Sequence, residues 1–361
     1  MAEKKPMQNI IAIDLLRALA ALGVFTYHMH LGALLAKYSG IHLIAYMDAL
    51  GAFYAVPLFF LISGYCIHAS NIKYIKANVA LPLKEYYLRR FLRIYPPYLF
   101  ALLFALGINY IASGTYKPSL TDFIVHLFSL QGFTVPYFNS INVVLWTISV
   151  ELAFYAIYPL FYYVRFKYNL NYALLLTLIV SCISIAYFQI NGSINIAQRF
   201  CVFNLWFAWC CGAFLADKKM LNHGDLKQPV YLVLYFVVLV IFAGLKYFPN
   251  GLFIISDQFS ILLWAAPMMF IISKEDWLRQ HKNTWVIRIG AAIGLSSYSL
   301  YLLHEPLIYL KNFAAHKYLP ASLQFPGLIL GIFIIPVITW YSFQFIEKPF
   351  ISRKKPIEQT A

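Results

Sequence analysis

Apolar residues gather along the chain in long runs, separated by short clusters of charge, Pro or Gly. Marking those runs predicts ten helical spans: Ile10 to Leu31, Ala52 to Ser70, Pro96 to Ser113, Val144 to Val164, Tyr172 to Ile190, Phe200 to Ala216, Val230 to Tyr247, Phe253 to Ser273, Ile289 to Lys311 and Pro326 to Ile346. Crossing about 30 Å of hydrocarbon at about 1.5 Å per residue takes roughly 20 apolar residues, and each run approaches that length. The segment Leu120 to Leu130 is apolar but too short to span, and is expected to form an interfacial helix. The fold class is therefore all-α, a polytopic integral membrane protein of about ten transmembrane helices.

Composition supports this reading. Of 361 residues, 61% are hydrophobic and 12% charged, whereas a soluble globular domain runs about half apolar and a quarter charged. The net charge of +14 would suit a nucleic-acid partner if the cations shared a face. They fall instead in the short loops, which argues for no nucleic-acid partner. Of the 28 Lys and Arg, Arg17 lies inside the first span, and Lys37, Lys117, Arg199, Lys246, Lys311 and Lys317 fall on one side of the membrane. The remaining 21 fall on the side of the N-terminus. Cations favour the cytoplasmic side, so both termini are expected there.

The run after Lys4 and Lys5 contains Asp14 and Arg17 and is followed by no polar start, so it is expected to stay as a first helix and not as a cleaved signal. Residues 1–350 form one expected transmembrane domain, and 351–361 a polar tail expected to be disordered. Cys66, Cys182, Cys201, Cys210 and Cys211 lie in apolar stretches without metal-ligand spacing, so no metal is expected, and the cysteines read as small buried hydrophobes.

An ionisable group inside the bilayer costs on the order of 2.5 to 3.5 kcal/mol on the insertion scale, so each one asks for a role. The first span carries Asp14, Arg17 and His28. Eleven positions separate Arg17 from His28, about three turns, which puts them on one helix face about 16 Å apart. Asp14 lies one turn before Arg17, within reach to neutralise it. Two readings stand: a functional face, or an Arg17 that snorkels to headgroups with a satisfied buried His28. Glu151 in the fourth span lies at a depth comparable with His28, where a carboxylate would fix the imidazole tautomer and raise its basicity. The competing reading is a structural Glu bonded to a Trp or Tyr. His304 and Glu305 in the ninth span are either part of a polar pocket with His28 or packing partners. Arg89, Arg90 and Arg93 precede Pro96 and Pro97 in a loop expected to be cytoplasmic, where they suit a phosphate-rich ligand or lipid headgroups equally well. Ser63 and Gly64 permit close approach, of a helix or of a ligand.

These stretches together resemble the acyltransferase-3 family of integral-membrane O-acyltransferases acting on glycans. The resemblance rests on Arg17 with His28; PLFFLISGY at Pro57 to Tyr65; YLRRFLRIYP at Tyr87 to Pro96; WTISVELAFYAIYPL at Trp146 to Leu160; SYSLYLLHEPL at Ser297 to Leu307; and FIEKPF at Phe345 to Phe350. Thr147 stands where the family has Ser, and Lys348 where Arg is common. The resemblance implies acetyl-CoA, or another acyl-CoA, as donor substrate, with no permanently bound cofactor. It implies a glycan sugar hydroxyl as acceptor, at a bacterial cytoplasmic membrane whose lipids are the protein's surroundings. His28 would be the base, with Glu151 assisting, or else form an acyl-histidine intermediate. Arg17, Arg89, Arg90 and Arg93 would engage the donor, and Trp146, Ser149, His304 and Glu305 the acceptor. Some family members carry a fused hydrolase-like domain; here the chain ends soon after the tenth span, and a second transfer step is expected to need a separate partner. Oligomeric state is open.

The rival from another class is a transporter or flippase of a glycan or lipid-linked sugar. It would be favoured by paired interrupted helices in the two halves, which the sequence lacks, and it predicts substrate accumulation without CoA release. A receptor or structural role predicts that His28→Ala is tolerated.

Overall fold

The structure is a computed structural model that describes residues 10–192, 194–221, 228–246 and 253–351. The expected tail beyond residue 351 and the cations Lys4 and Lys5 lie outside them. The described residues form helices and no strands: α1 Ile11–His28, α2 Leu31–Ser39, α3 Tyr46–Lys76, α4 Leu83–Ser113, α5 Leu120–Leu127, α6 Trp146–Lys167, α7 Leu170–Ile190, α8 Ile196–Arg199, α9 Val202–Met220, α10 Gln228–Lys246, α11 Phe253–Leu262, α12 Ala265–Ser273, α13 Glu275–Gln280, α14 Trp285–Leu295, α15 Ser297–Tyr318, α16 Ala321–Ser342 and α17 Lys348–Ile351. A π-helical turn, Phe343–Glu347, joins the last two.

By length and composition, eight helices among the described residues can cross a membrane. Helices α14 and α15 qualify only when taken together, which would bring the number to nine. The expected span Val230 to Tyr247 corresponds to α10, of which Tyr235–Leu245 counts as a shorter apolar helix among the described residues; Tyr247 lies outside them. The protein is thus a polytopic helical membrane protein. The expected short helix near Leu120 is present as α5.

Two corrections concern prolines. Pro removes a helical N–H and clashes with the preceding turn, which places expected span starts at Pro96 and Pro326. In the structure α4 begins at Leu83 and runs through Pro96 and Pro97, and α16 begins at Ala321 and runs through Pro326. Hydroxyl side chains re-satisfy backbone groups near such breaks in membrane helices. Pro96 and Pro97 withdraw the donors of the Leu92 and Arg93 carbonyls, and next to them Tyr298 donates to the carbonyl of Ile94 at 3.0 Å. Arg89, Arg90 and Arg93 therefore lie on a helix and not in a loop.

The chain divides into two compact units, Met1–Leu81 with Val150–Ser297, and Pro82–Ser149 with Tyr298–Ala361. In the first, α3 packs against α1 and α9 through glycines. A Cβ on Gly64 would collide with the carbonyl oxygen of Trp209, and one on Gly212 with that of Leu61. Gly51 sits in the same way on Gly23 of α1, and Gly294 of α14 on the backbone of Asp14. Small residues let helix backbones touch where lipid supplies no hydrophobic drive for association. In the second unit, Asn109 donates to the carbonyl of Ile141 at 2.9 Å and Asn142 to that of Leu302 at 3.2 Å, fixing loop segments to α4 and α15.

Candidate functional site

Building the first unit from α1 outward, the carboxylate of Glu275 accepts hydrogen bonds from the amides of Ile11 (3.1 Å) and Ala12 (2.9 Å) and pairs with Arg279 at 2.7 Å. The first amides of a helix have no partner within it, and an acidic side chain satisfies them and offsets the helix dipole. One turn on, Asp14 pairs with Arg17 at 3.7 Å, as the spacing predicts. Arg17 also donates to the Cys66 sulfur at 3.4 Å, which ties α1 to α3. His28 is the last residue of α1 and half-buried, with the Tyr27 ring edge-on to it at 4.9 Å. The chain then turns through His30, at φ 50°, into α2, whose amides at Gly32 and Ala33 donate to Asp48 at 2.7 and 2.9 Å.

Glu151 is half-buried on α6 and accepts from the Ser63 hydroxyl at 3.2 Å and from the Tyr155 hydroxyl. Ser63 and Tyr155 are 3.3 Å apart, so the carboxylate and two hydroxyls form one cluster. Glu151 thus has a tyrosine partner, and Ser63 joins it. Gly64, beside Ser63, is the packing residue.

A second polar group in this unit is not anticipated by the sequence reading. His68, fully buried on α3, lies 3.0 Å from the Tyr158 hydroxyl through Nδ1 and 2.9 Å from Asp217 through Nε2. Asp217, also fully buried, accepts from Arg165 at 2.7 and 3.2 Å. His68 stands inside a predicted span, and an intramembrane imidazole is the signal that could have found it. Asp217 and Arg165 stand at span edges, where charge needs no explanation.

The second unit holds the other predicted residues. Arg89 is exposed and paired with Glu85 at 3.1 Å, the Arg90 guanidinium lies 6.0 Å from the Tyr86 ring centre, and Arg93 is half-buried. Trp146 stacks on Phe138 at 5.1 Å. Buried Ser149 accepts from the amide of Gly132 at 3.1 Å, a glycine whose Cβ would meet the Trp146 carbonyl oxygen at 2.6 Å. His304 is buried with Nδ1 at 2.8 Å from the Tyr301 carbonyl, and Glu305 is half-buried. Thr147 bonds the Tyr301 hydroxyl at 2.8 Å, so the motif segments that open α6 and α15 touch through these two side chains.

Two features of this unit go beyond the sequence reading. Glu347, buried in the π-helical turn, accepts from Ser299 at 2.8 Å; π turns recur at functional positions. In α5, outside the spanning helices, buried His126 places Nδ1 3.0 Å from Asp122, which in turn accepts from Ser140 at 2.8 Å. Burial pushes the His126 pKa down from its usual 6.5, with the Asp122 carboxylate and carbonyl opposing.

The fold and these sites define a polytopic helical membrane protein that gathers ionisable and hydroxyl groups between its spanning helices. The chain belongs to the acyltransferase domain family, whose pattern it matches over residues 10–341. It is similar to the O-acetyltransferase OatA of Staphylococcus aureus, at 26% identity over 386 residues in strains NCTC 8325, COL and MRSA252. That match covers 95% of this chain and 57% of the relative, so the chain spans well under two thirds of the length of those proteins. No solved structure matches the chain.

Proposed function

We propose that the protein is a membrane O-acyltransferase that moves an acetyl group from acetyl-CoA to a hydroxyl of a cell-surface glycan, such as a lipopolysaccharide O-antigen or another exopolysaccharide. The family match over residues 10–341 supports acyl transfer, and the name of OatA supports an O-acetyl product. The observation that carries the site is the hydrogen bond between Ser63 and Glu151, at 3.2 Å, which joins two motif segments 88 positions apart.

In this reading His28 is the general base. It takes the proton of the sugar hydroxyl as the oxygen attacks the thioester carbonyl. Collapse of the tetrahedral intermediate breaks the C–S bond, and the proton passes from His28 to the departing thiolate to give CoA and the sugar ester. Glu151, whose carboxylate is held by Ser63 and Tyr155, assists His28 in this reading. Arg17, Arg89, Arg90 and Arg93 hold the phosphates of the donor, since a guanidinium fork matches phosphate oxygens. Trp146, Ser149, His304 and Glu305 serve the acceptor. The excess of cations on the side of the N-terminus supports a cytoplasmic location for both ends, in a bacterial inner membrane whose lipids are the protein's solvent.

The test is thiol release from acetyl-CoA by purified protein supplied with a glycan extract, comparing wild type with His28→Ala and Glu151→Gln. Acceptor-dependent release in wild type, lost in a folded His28→Ala protein, is the expected result. Equal release from both sinks the assignment of His28. Donor binding without release, in the presence of the cell's own glycans, favours a transporter.

A further inference from the structure

Helix α6 contains Pro159, about two turns beyond Glu151 and between Tyr158 and Arg165, the two side chains of this helix that engage the buried His68 group. Proline has no amide hydrogen and its ring crowds the carbonyl four residues back, which here is Tyr155. Tyr155 is the residue whose hydroxyl holds Glu151. The intrinsic weak point of α6 therefore falls at the turn that sets the direction of Glu151.

Tyr158 precedes the proline and Arg165 follows it. They are seven positions apart, two turns, so they share a face about 10 Å apart. The His68–Asp217 pair fills that interval. Asp217, paired with Arg165, accepts the Nε2 proton of His68, which leaves Nδ1 to accept from the Tyr158 hydroxyl. The result is a polar chain of four side chains that starts and ends on α6 on either side of the proline, with His68 anchored on α3 and Asp217 on α9. Burying charged groups costs several kcal/mol per ion before pairing, and apolar residues of similar volume would pack as well or better. Such a group is best explained by the geometry it imposes.

We propose that Tyr158, His68, Asp217 and Arg165 form a clasp that fixes the course of α6 across Pro159 and thereby positions Glu151 against Ser63. These are positioning residues for the acyl transfer proposed above, and the inference rests on that reading where it concerns rate. The clasp itself is read without activity.

The experiment uses full-length protein in lipid nanodiscs, with Tyr158→Phe as the mildest cut, since it removes one hydroxyl, and His68→Gln as the second. Three readouts are taken: amide hydrogen exchange across residues 155–161, the rate at which a hydrophobic carbodiimide modifies Glu151, and kcat with the KM for acetyl-CoA. The expected result for either variant is exchange and modification each about tenfold faster, and kcat about tenfold lower with KM unchanged. Adding Pro159→Ala, which restores the missing helical hydrogen bond, should return all three towards wild type, whereas a general loss of stability would not be repaired there. Unchanged exchange, or faster exchange with unchanged Glu151 modification, overturns the proposal. Faster exchange and modification with wild-type kcat overturns the positioning role. If even wild type releases no CoA, the proposed function fails, while exchange and carbodiimide modification still uphold or overturn the clasp.

Discussion

Replacing Gly64 by Ala tests the packing that brings Ser63 to Glu151. The added Cβ would collide with the Trp209 carbonyl oxygen, with the carbonyl carbon at 3.1 Å and the Trp209 ring at 3.3 Å. A helical carbonyl cannot step aside, and Gly212 closes the same interface against Leu61 from the other helix. Helices α3 and α9 must therefore separate by roughly 1 Å, which forfeits a quarter to a half of each dispersion contact that opens. Overpacking of this kind costs about 1–3 kcal/mol, and the better helix propensity of Ala returns up to about 1 kcal/mol. A net loss of about 1–2 kcal/mol is expected, read as a fall of roughly 2 °C in the thermal midpoint of the detergent-solubilised protein. Ser63 is the neighbour of Gly64 on α3, so a displacement of α3 should also disturb the 3.2 Å Ser63–Glu151 hydrogen bond, and activity should then fall further than stability alone requires. Gly107→Ala is the control: a Cβ there meets open space, and the variant should melt no lower than wild type. If Gly64→Ala and Gly107→Ala melt together with wild type, the close crossing of α3 and α9 is wrong.

Three other outcomes are expected. Removing the carboxylate in Glu275→Ala leaves the amides of Ile11 and Ala12 without their acceptor and should cost about 1–2 kcal/mol in the same melting assay; a midpoint equal to wild type would refute the capping role. Because burial lowers the His126 pKa, the unfolded chain binds more protons than the folded one as pH falls through 6.5. Stability should therefore decline below that pH, and the part of the decline due to His126 should vanish in His126→Gln; identical pH profiles of the melting midpoint would refute it. Breaking the exposed Arg89–Glu85 pair with Arg89→Ala should change stability by less than about 1 kcal/mol, so a raised KM for acetyl-CoA would report donor contact, and an unchanged KM would remove Arg89 from the donor site.

Much of the architecture is local and can be read from the chain. A bilayer leaves no backbone amide unsatisfied, so a run of about 20 apolar residues has helix as its stable form, and the positions of α1, α6, α7 and α9 follow from run length. The Asp14–Arg17 pair is legible for the same reason, since three positions on a helix fix the distance. Proline misleads, because its effect on a helix depends on what lies beside it: Pro96 and Pro97 sit inside α4, while α14 ends at Leu295 and α15 begins at Ser297 with no proline between them.

Side-chain partnerships between distant helices are beyond that reach. The sequence shows that Glu151, Ser63, His68 and Asp217 are costly or small residues in apolar surroundings, but the azimuth and depth at which two helices cross decide which of them meet. Those quantities are set by where glycines allow backbones to touch, at Gly64 on Trp209 and Gly212 on Leu61. Burial and bilayer length determined the helices and the residues that need partners; the crossing of α3 with α9 and with α6 decided that Glu151 belongs to Ser63 and Tyr155, and His68 to Asp217.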